Sequence, residues 1–169
     1  MQIFTGEGRG KTSAALGTIV RAVGHGLKVY IVFLMKGGNY PHGEFNTLSR
    51  LPGVTMASFG QRGWVKEGQV KPEHREQARQ ALANARQAML SGDYDLLVLD
   101  EINVAVAHHL IELDAVLRLI KDKPPKVELI LTGRNADPAL VSAADLVSEI
   151  TMIKHPYNEG IQARKGIDY

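Results

Sequence analysis

The run Thr5-Gly6-Glu7-Gly8-Arg9-Gly10-Lys11-Thr12 constrains this chain more than any other segment. Glycines at alternate positions let successive backbone N–H groups turn into one concavity. Met1–Phe4 leaves room for a short strand ahead of the run, and Ser13–Val23 reads as a helix behind it. A Gly-rich turn between a strand and a helix N-terminus holds a polyphosphate at the positive end of the helix dipole. The alternative is a Gly-rich hairpin followed by a basic helix start. Against it stands Lys11, which opposes the dipole unless an anion lies there. In the phosphate reading Lys11 reaches the outer phosphates and the Thr12 hydroxyl ligates Mg²⁺. Thr5, Gly6, Glu7, Gly8, Arg9, Gly10 and Ser13 complete the ATP-binding stretch. The common pattern is G-x-x-x-x-G-K-[ST], and Thr5 stands where it has its first Gly.

The rest of the chain alternates apolar runs with helical spacing. Strands are expected at Gln2–Thr5, Lys28–Met35, Val54–Phe59, Asp95–Asp100, Val127–Thr132 and Leu146–Ile153, the last near an edge. Helices are expected over Lys11–Val23, Pro72–Leu90 and Asp137–Ala144. A broken helix, or two short ones, falls within Ile102–Lys121. Such alternation predicts an α/β fold: a mostly parallel sheet of about six strands with helices on both faces, P-loop NTPase-like and RecA-like. No repeat or linker divides residues 1–169, so they are expected to form a single nucleotide-binding domain. A C-terminal arm from about residue 154 to 169 folds over it or onto a partner. Ligands in such folds bind at the carboxyl ends of the strands.

Further motifs fall at those ends. Leu96-Leu97-Val98-Leu99-Asp100-Glu101 is an apolar strand that emerges into two carboxylates. Beside a phosphate loop, that is where a Mg²⁺-linked carboxylate belongs. The alternative is an acidic helix start, with Asp100 as cap and Glu101 favouring the dipole. Thr132-Gly133-Arg134-Asn135 follows the fifth strand and places Arg134 to touch a phosphate or ribose; otherwise it is a simple turn. Phe59 and Trp64 lie in a Gly-rich stretch after the third strand. Trp64 is either a staple under a long loop or a flat wall for a large planar ligand. The histidines show no ligand spacing, and His108-His109 diverge by ~100° on a helix.

Composition excludes more than it assigns. The chain has no Cys, which removes disulfides, zinc fingers, thiol nucleophiles and cysteinyl iron–sulfur ligation. A net charge of +2 gives no concentrated basic stripe for nucleic acid. No apolar run approaches a membrane span, and Met1 leads directly into the loop strand, so a cytoplasmic protein is expected.

Taken together these segments resemble the ATP:corrinoid adenosyltransferases of cobalamin synthesis and salvage. The resemblance runs nearly end to end. It rests on the loop Thr5–Thr12, Arg21-Ala22-Val23-Gly24-His25-Gly26, Met35-Lys36-Gly37, Leu99-Asp100-Glu101 and Thr132-Gly133-Arg134. It also covers the tail from Lys154-His155 through Gly160-Ile161-Gln162-Ala163 to Gly166-Ile167-Asp168. The family's phosphate loop also lacks the first Gly, which turns Thr5 into a mark of the family. The resemblance implies transfer of the 5′-deoxyadenosyl group of ATP to Co(I) of a corrinoid, with release of tripolyphosphate. It implies Lys11, Glu101 and Arg134 in catalysis, metal on Thr12, Asp100 and Glu101, and Arg21 and Arg134 at the nucleotide. It implies Phe59 or Trp64 against the corrinoid, where an aromatic residue excludes the lower axial ligand of cobalt. An electron donor for cobalt and a homodimer are implied as partners. Some relatives carry a segment ahead of the loop, whose role is expected to fall to other elements here. The rival readings are a P-loop ATPase or phosphotransferase with Glu101 as base, and a non-catalytic ATP-dependent sensor.

Overall fold

Buried parallel strands need apolar side chains on both faces, and this chain supplies them in nearly unbroken runs. The computed structural model describes residues 1–37, 43–60 and 70–168. In chain order the elements are β1 (Gln2–Thr5), α1 (Lys11–Gly24), β2 (Val29–Phe33), α2 (Gly43–Leu48), β3 (Val54–Ser58) and α3 (Pro72–Ser91). They continue with β4 (Leu96–Asp100), α4 (Ile102–Ala107), α5 (Leu113–Lys121), β5 (Glu128–Thr132), α6 (Pro138–Ala143) and β6 (Leu146–Glu149). The strands form one six-stranded sheet in the order β3-β2-β4-β5-β1-β6, parallel throughout.

The period of two along each strand divides its side chains between two cores. Ile31, Phe33, Leu96, Val98 and Ile130 pack with Ala15, Ile19 and Ala22 of α1. Their neighbours Val32, Leu97, Leu99, Leu129 and Leu131 face the other way, onto Ala78, Ala81, Ala85 and Met89 of α3 and Ile102 and Val106 of α4. Helices therefore cover both faces, as the alternation of strands and helices requires. The alanine stripe of α3 carries little side-chain bulk on the face it turns to β2 and β4.

Local boundaries have local causes. Pro138 opens α6, and Asp137 caps it by accepting from the Ala139 N–H at 2.8 Å. The stretch 102–121 is two helices, with His109 in the left-handed region (φ 54°) between them. β2 is shorter than its apolar run suggests, because Met35 turns to φ 56° just after it. The short α2 is not signalled by periodicity. The exposed tail contains one 3-10 turn, Pro156–Glu159, begun by Pro156 and by His155 Nδ1 accepting from the Tyr157 N–H. β6 is an edge strand with Leu146 and Val147 exposed.

All strands being parallel, their carboxyl ends share one edge of the sheet. There the register sets Phe4 of β1 beside Thr132 of β5, and Phe33 of β2 beside Asp100 of β4. After β5 the chain crosses β1 to reach β6. The sequence motifs gather along that edge.

Candidate nucleotide site

The loop after β1 delivers its backbone to a helix start without a side-chain cap. Gly10 precedes α1, no side chain bonds the first-turn N–H groups, and no acidic residue lies in that turn. Free N–H groups and the positive end of the dipole favour an anion there. The chain leaving β6 lies tight against the loop, with the Gly8 N–H donating to Ile150 O at 2.6 Å. A Cβ at Gly6 would stand 2.5 Å from Ile150 O, and one at Gly8 2.5 Å from Thr151 O. Only residues without side chains permit this approach. Thr5 adds an anchor that glycine would lack: its hydroxyl accepts from the Ala136 N–H at 3.3 Å.

Lys11 folds back over this loop. Its side chain is buried, and Nζ donates to Gly6 O at 2.7 Å and to Gly8 O at 2.6 Å. Burial holds its ammonium below the ordinary lysine range, against the pull of Glu101, and the Arg134 charge adds to the depression. Carbonyl oxygens satisfy its hydrogen bonds but do not neutralise it.

Asp100 is the hub of the neighbouring cluster. It is fully buried at the end of β4. Oδ1 accepts from the Thr12 hydroxyl at 2.9 Å and from the Thr132 hydroxyl at 2.7 Å. Lys36 Nζ stands 2.7 Å from Oδ2 and 3.6 Å from Glu44 Oε1. The ammonium approaches Oδ2 at ion-pair distance but off the hydrogen-bonding direction, so that oxygen carries no directed bond. Burial alone would lower the Lys36 ammonium; the Asp100 charge, with Glu44 and Glu101 behind it, raises it above the lysine range instead. Asp100 thus belongs to the strand and does not cap α4.

Glu101 takes the position preceding α4, with φ 66° and no side-chain capping bond. Its N–H donates to Thr132 Oγ1 at 3.0 Å. A non-glycine residue held in the left-handed region stores backbone strain, which concentrates at functional positions. Burial pushes its carboxyl above the usual range, and the neighbouring Asp100 charge adds to this.

The remaining residues expected at the site divide into those that join it and those that do not. Arg134 Nη1 lies 3.1 Å from Glu7 Oε2, which puts both at the mouth of the loop. Arg9 Nη1 pairs with Asp168 Oδ1 at 2.6 Å, so the C-terminal arm folds back to the loop. Ser13 is exposed on the first turn of α1. Arg21 lies in the last turn of α1, exposed at the end remote from the loop, and does not join the cluster. Phe59 is half-buried just beyond β3, against Leu34, Met35 and Ala78. Trp64 lies outside the described residues. Thr132 and Lys36 are site residues that sequence reasoning passed over. The signal was available, since each stands at the carboxyl end of a buried strand, where Arg134 was already suspected.

The Thr12 hydroxyl and the carboxylates of Asp100 and Glu101 are hard oxygen donors of the kind Mg²⁺ prefers. Among the described residues no three His, Cys, Asp or Glu side chains converge as a metal cage. That fits a cation held by one or two carboxylates and by phosphate oxygens. The buried Oδ2 of Asp100, without a directed hydrogen bond, retains a lone pair for it.

Comparison with known proteins identifies the family. Residues 1–169 match the family described as ATP:corrinoid adenosyltransferase BtuR/CobO/CobP. A corrinoid adenosyltransferase of Pseudomonas aeruginosa is 36% identical over 167 residues, covering 99% of this chain and 82% of the relative. One from Escherichia coli K12 is 35% identical, covering 99% of this chain and 84% of the relative. The corrinoid adenosyltransferase CobA of Salmonella typhimurium is 34% identical with the same coverage. The chain belongs to this family.

Proposed function

We propose that this member of the ATP:corrinoid adenosyltransferase family moves the 5′-deoxyadenosyl group of ATP onto Co(I) of a corrinoid. Cobalt attacks the ribose C5′ with its own electron pair, a Co–C bond forms, and the C5′–O bond breaks. Tripolyphosphate leaves with the electrons of that bond. Co(I) carries no proton to remove, so the protein needs no general base. It needs a held, charge-neutralised leaving group and an in-line approach.

The observation that carries this reading is the convergence of Lys11, Thr12 and Asp100 at an uncapped helix start. Lys11 exchanges two backbone carbonyls for phosphate oxygens that carry full charge. The N–H groups of Gly6–Thr12 hold the triphosphate, and Arg134 covers its outer side from across the loop. Asp100 fixes the Thr12 hydroxyl. Mg²⁺, held by Thr12, Asp100 and Glu101, would supply charge neutralisation to the departing triphosphate. Arg21, far along α1, would serve a part of the site remote from Lys11.

Phe59 or Trp64 would face the corrinoid and exclude the lower axial ligand of cobalt, easing reduction of Co(II) by a separate electron donor. The whole of 1–169 would act as one nucleotide-binding domain, with the arm 154–169 over its loop, in a cytoplasmic homodimer. Among the described residues no helix is long and apolar enough to cross a membrane.

Incubation with MgATP and chemically reduced cobalamin tests the reading. Tripolyphosphate and a light-sensitive alkylcobalt product are expected. ADP or phosphate as the only products would replace transfer with hydrolysis or phosphotransfer. Tight ATP binding without turnover of any reduced corrinoid would make the chain a sensor.

A further inference from the structure

Lys36 has no part in the transfer as described, yet its placement is the most constrained of any exposed-loop cation in the described chain. Three features fix its backbone. The Lys36 N–H donates to Phe59 O at 3.2 Å, and its carbonyl accepts from the Ser58 hydroxyl at 2.7 Å. Met35, just before it, is held at φ 56°. Gly37, just after it, lies so close to the chain beyond β3 that a Cβ there would fall 1.7 Å from Gly60 O. The junction thus permits no side chain at residue 37 and strains residue 35. What it achieves is to aim one ammonium at the end of β4. Nζ passes over the Phe33 ring, 5.3 Å from its centroid, and ends 2.7 Å from Asp100 Oδ2.

We propose that Lys36 is a positioning residue that holds Asp100 for the Thr12 hydroxyl and, as a built-in cation, competes with magnesium for that carboxylate. The inference rests on the nucleotide–metal reading of the site given above. Asp100 has two oxygens and two kinds of partner: hydroxyls on Oδ1, the ammonium on Oδ2. Without the ammonium the buried carboxylate would carry an uncompensated charge and bind a divalent cation more strongly. With it, the cation is taken up when it arrives with the triphosphate, and Lys36 has Glu44 within 3.6 Å as a second partner. Lys36 therefore weakens metal uptake by the protein alone while keeping Asp100 oriented.

ATP binding without corrinoid isolates this claim from catalysis. Calorimetric titration at stepped Mg²⁺ should show half-saturation in Lys36→Met at about tenfold lower Mg²⁺ than in the wild type, equivalent to ~1.4 kcal/mol. Lys36→Arg, which keeps the charge, should stay near the wild type. In the unmodified protein, nitrogen NMR of the lysine ammonium groups should show the Lys36 signal, assigned with the Arg variant, moving on addition of MgATP. That measurement stands even where Lys36→Met does not fold. An unchanged Mg²⁺ requirement in Lys36→Met, or an unmoved Lys36 signal, overturns the proposal. Both results leave adenosyl transfer intact, since that reading fails only if the product assay fails.

Discussion

The loops after β1 and β2 each bring a lysine into the same edge of the sheet, in opposite electrostatic settings. Lys11 is buried against carbonyls of its own loop, and burial lowers its ammonium. Lys36 lies against the Asp100 carboxylate, which raises it. One lysine has hydrogen bonds without a counter-charge; the other has its counter-charge within the protein. The difference teaches which charge is kept for a ligand. A phosphate chain entering the loop gives Lys11 what Lys36 already has.

Removing each partner in turn probes that contrast. Lys11→Ala should cut turnover by ~10²-fold or more, through lost stabilisation of the leaving group. Its thermal midpoint should stay close to the wild type, because the lost charge was unpaired. Near-normal turnover would remove Lys11 from the mechanism and with it the contrast. Asp100→Asn should act the other way, mainly on the fold. It leaves Lys36 without its counter-ion and weakens the acceptor for two hydroxyls, at a cost of about 2 kcal/mol in urea unfolding. Equal stability of variant and wild type would mean that Lys36 finds a substitute charge, with Glu44 the first to test.

A smaller effect carries a sign. The folded protein raises the carboxyl of Glu101, so ionising that group costs stability. The wild type is fully stable in this respect below the ordinary Glu range, near 4.3, and loses ground as pH rises through the raised value. Glu101→Gln should therefore match the wild type in acid and become the more stable protein as pH rises. Thermal midpoints from pH 4 to 8, without nucleotide or metal, check this; parallel curves would place Glu101 in open solvent. The smallest effect belongs to Arg9→Ala. Its pair with Asp168 is partly exposed, so the thermal midpoint should not change measurably.

The same contrast explains what could be read from the sequence. The six strands were legible because buried parallel strands need runs such as Leu96–Leu99, which have few other uses. The loop was legible because alternate glycines followed by Lys11 and Thr12 serve one chemistry at one helix start. Asp100 and Glu101 were legible by position. Lys36 was not, although it is only two residues beyond the core of β2 and stands in Met35-Lys36-Gly37. A lysine after a strand is usually a solvated charge. What makes this one different is a backbone junction with Ser58–Gly60 and a carboxylate on β4, both set by the sheet order. The pairing of Arg134 with Glu7, and that of Arg9 with Asp168, are likewise products of the fold bringing distant segments to one edge. The short α2 offered too few residues for periodicity to register.

The central claim is that the loop grips a leaving group and that the bond broken is the one between C5′ and its oxygen. ATP carrying an oxygen-isotope label at the 5′ bridging position tests it directly, with reduced cobalamin as acceptor and phosphorus NMR of the products. The account predicts an intact tripolyphosphate bearing the label on a terminal phosphate. Label retained in ADP or AMP, with phosphate or pyrophosphate released beside it, would contradict it.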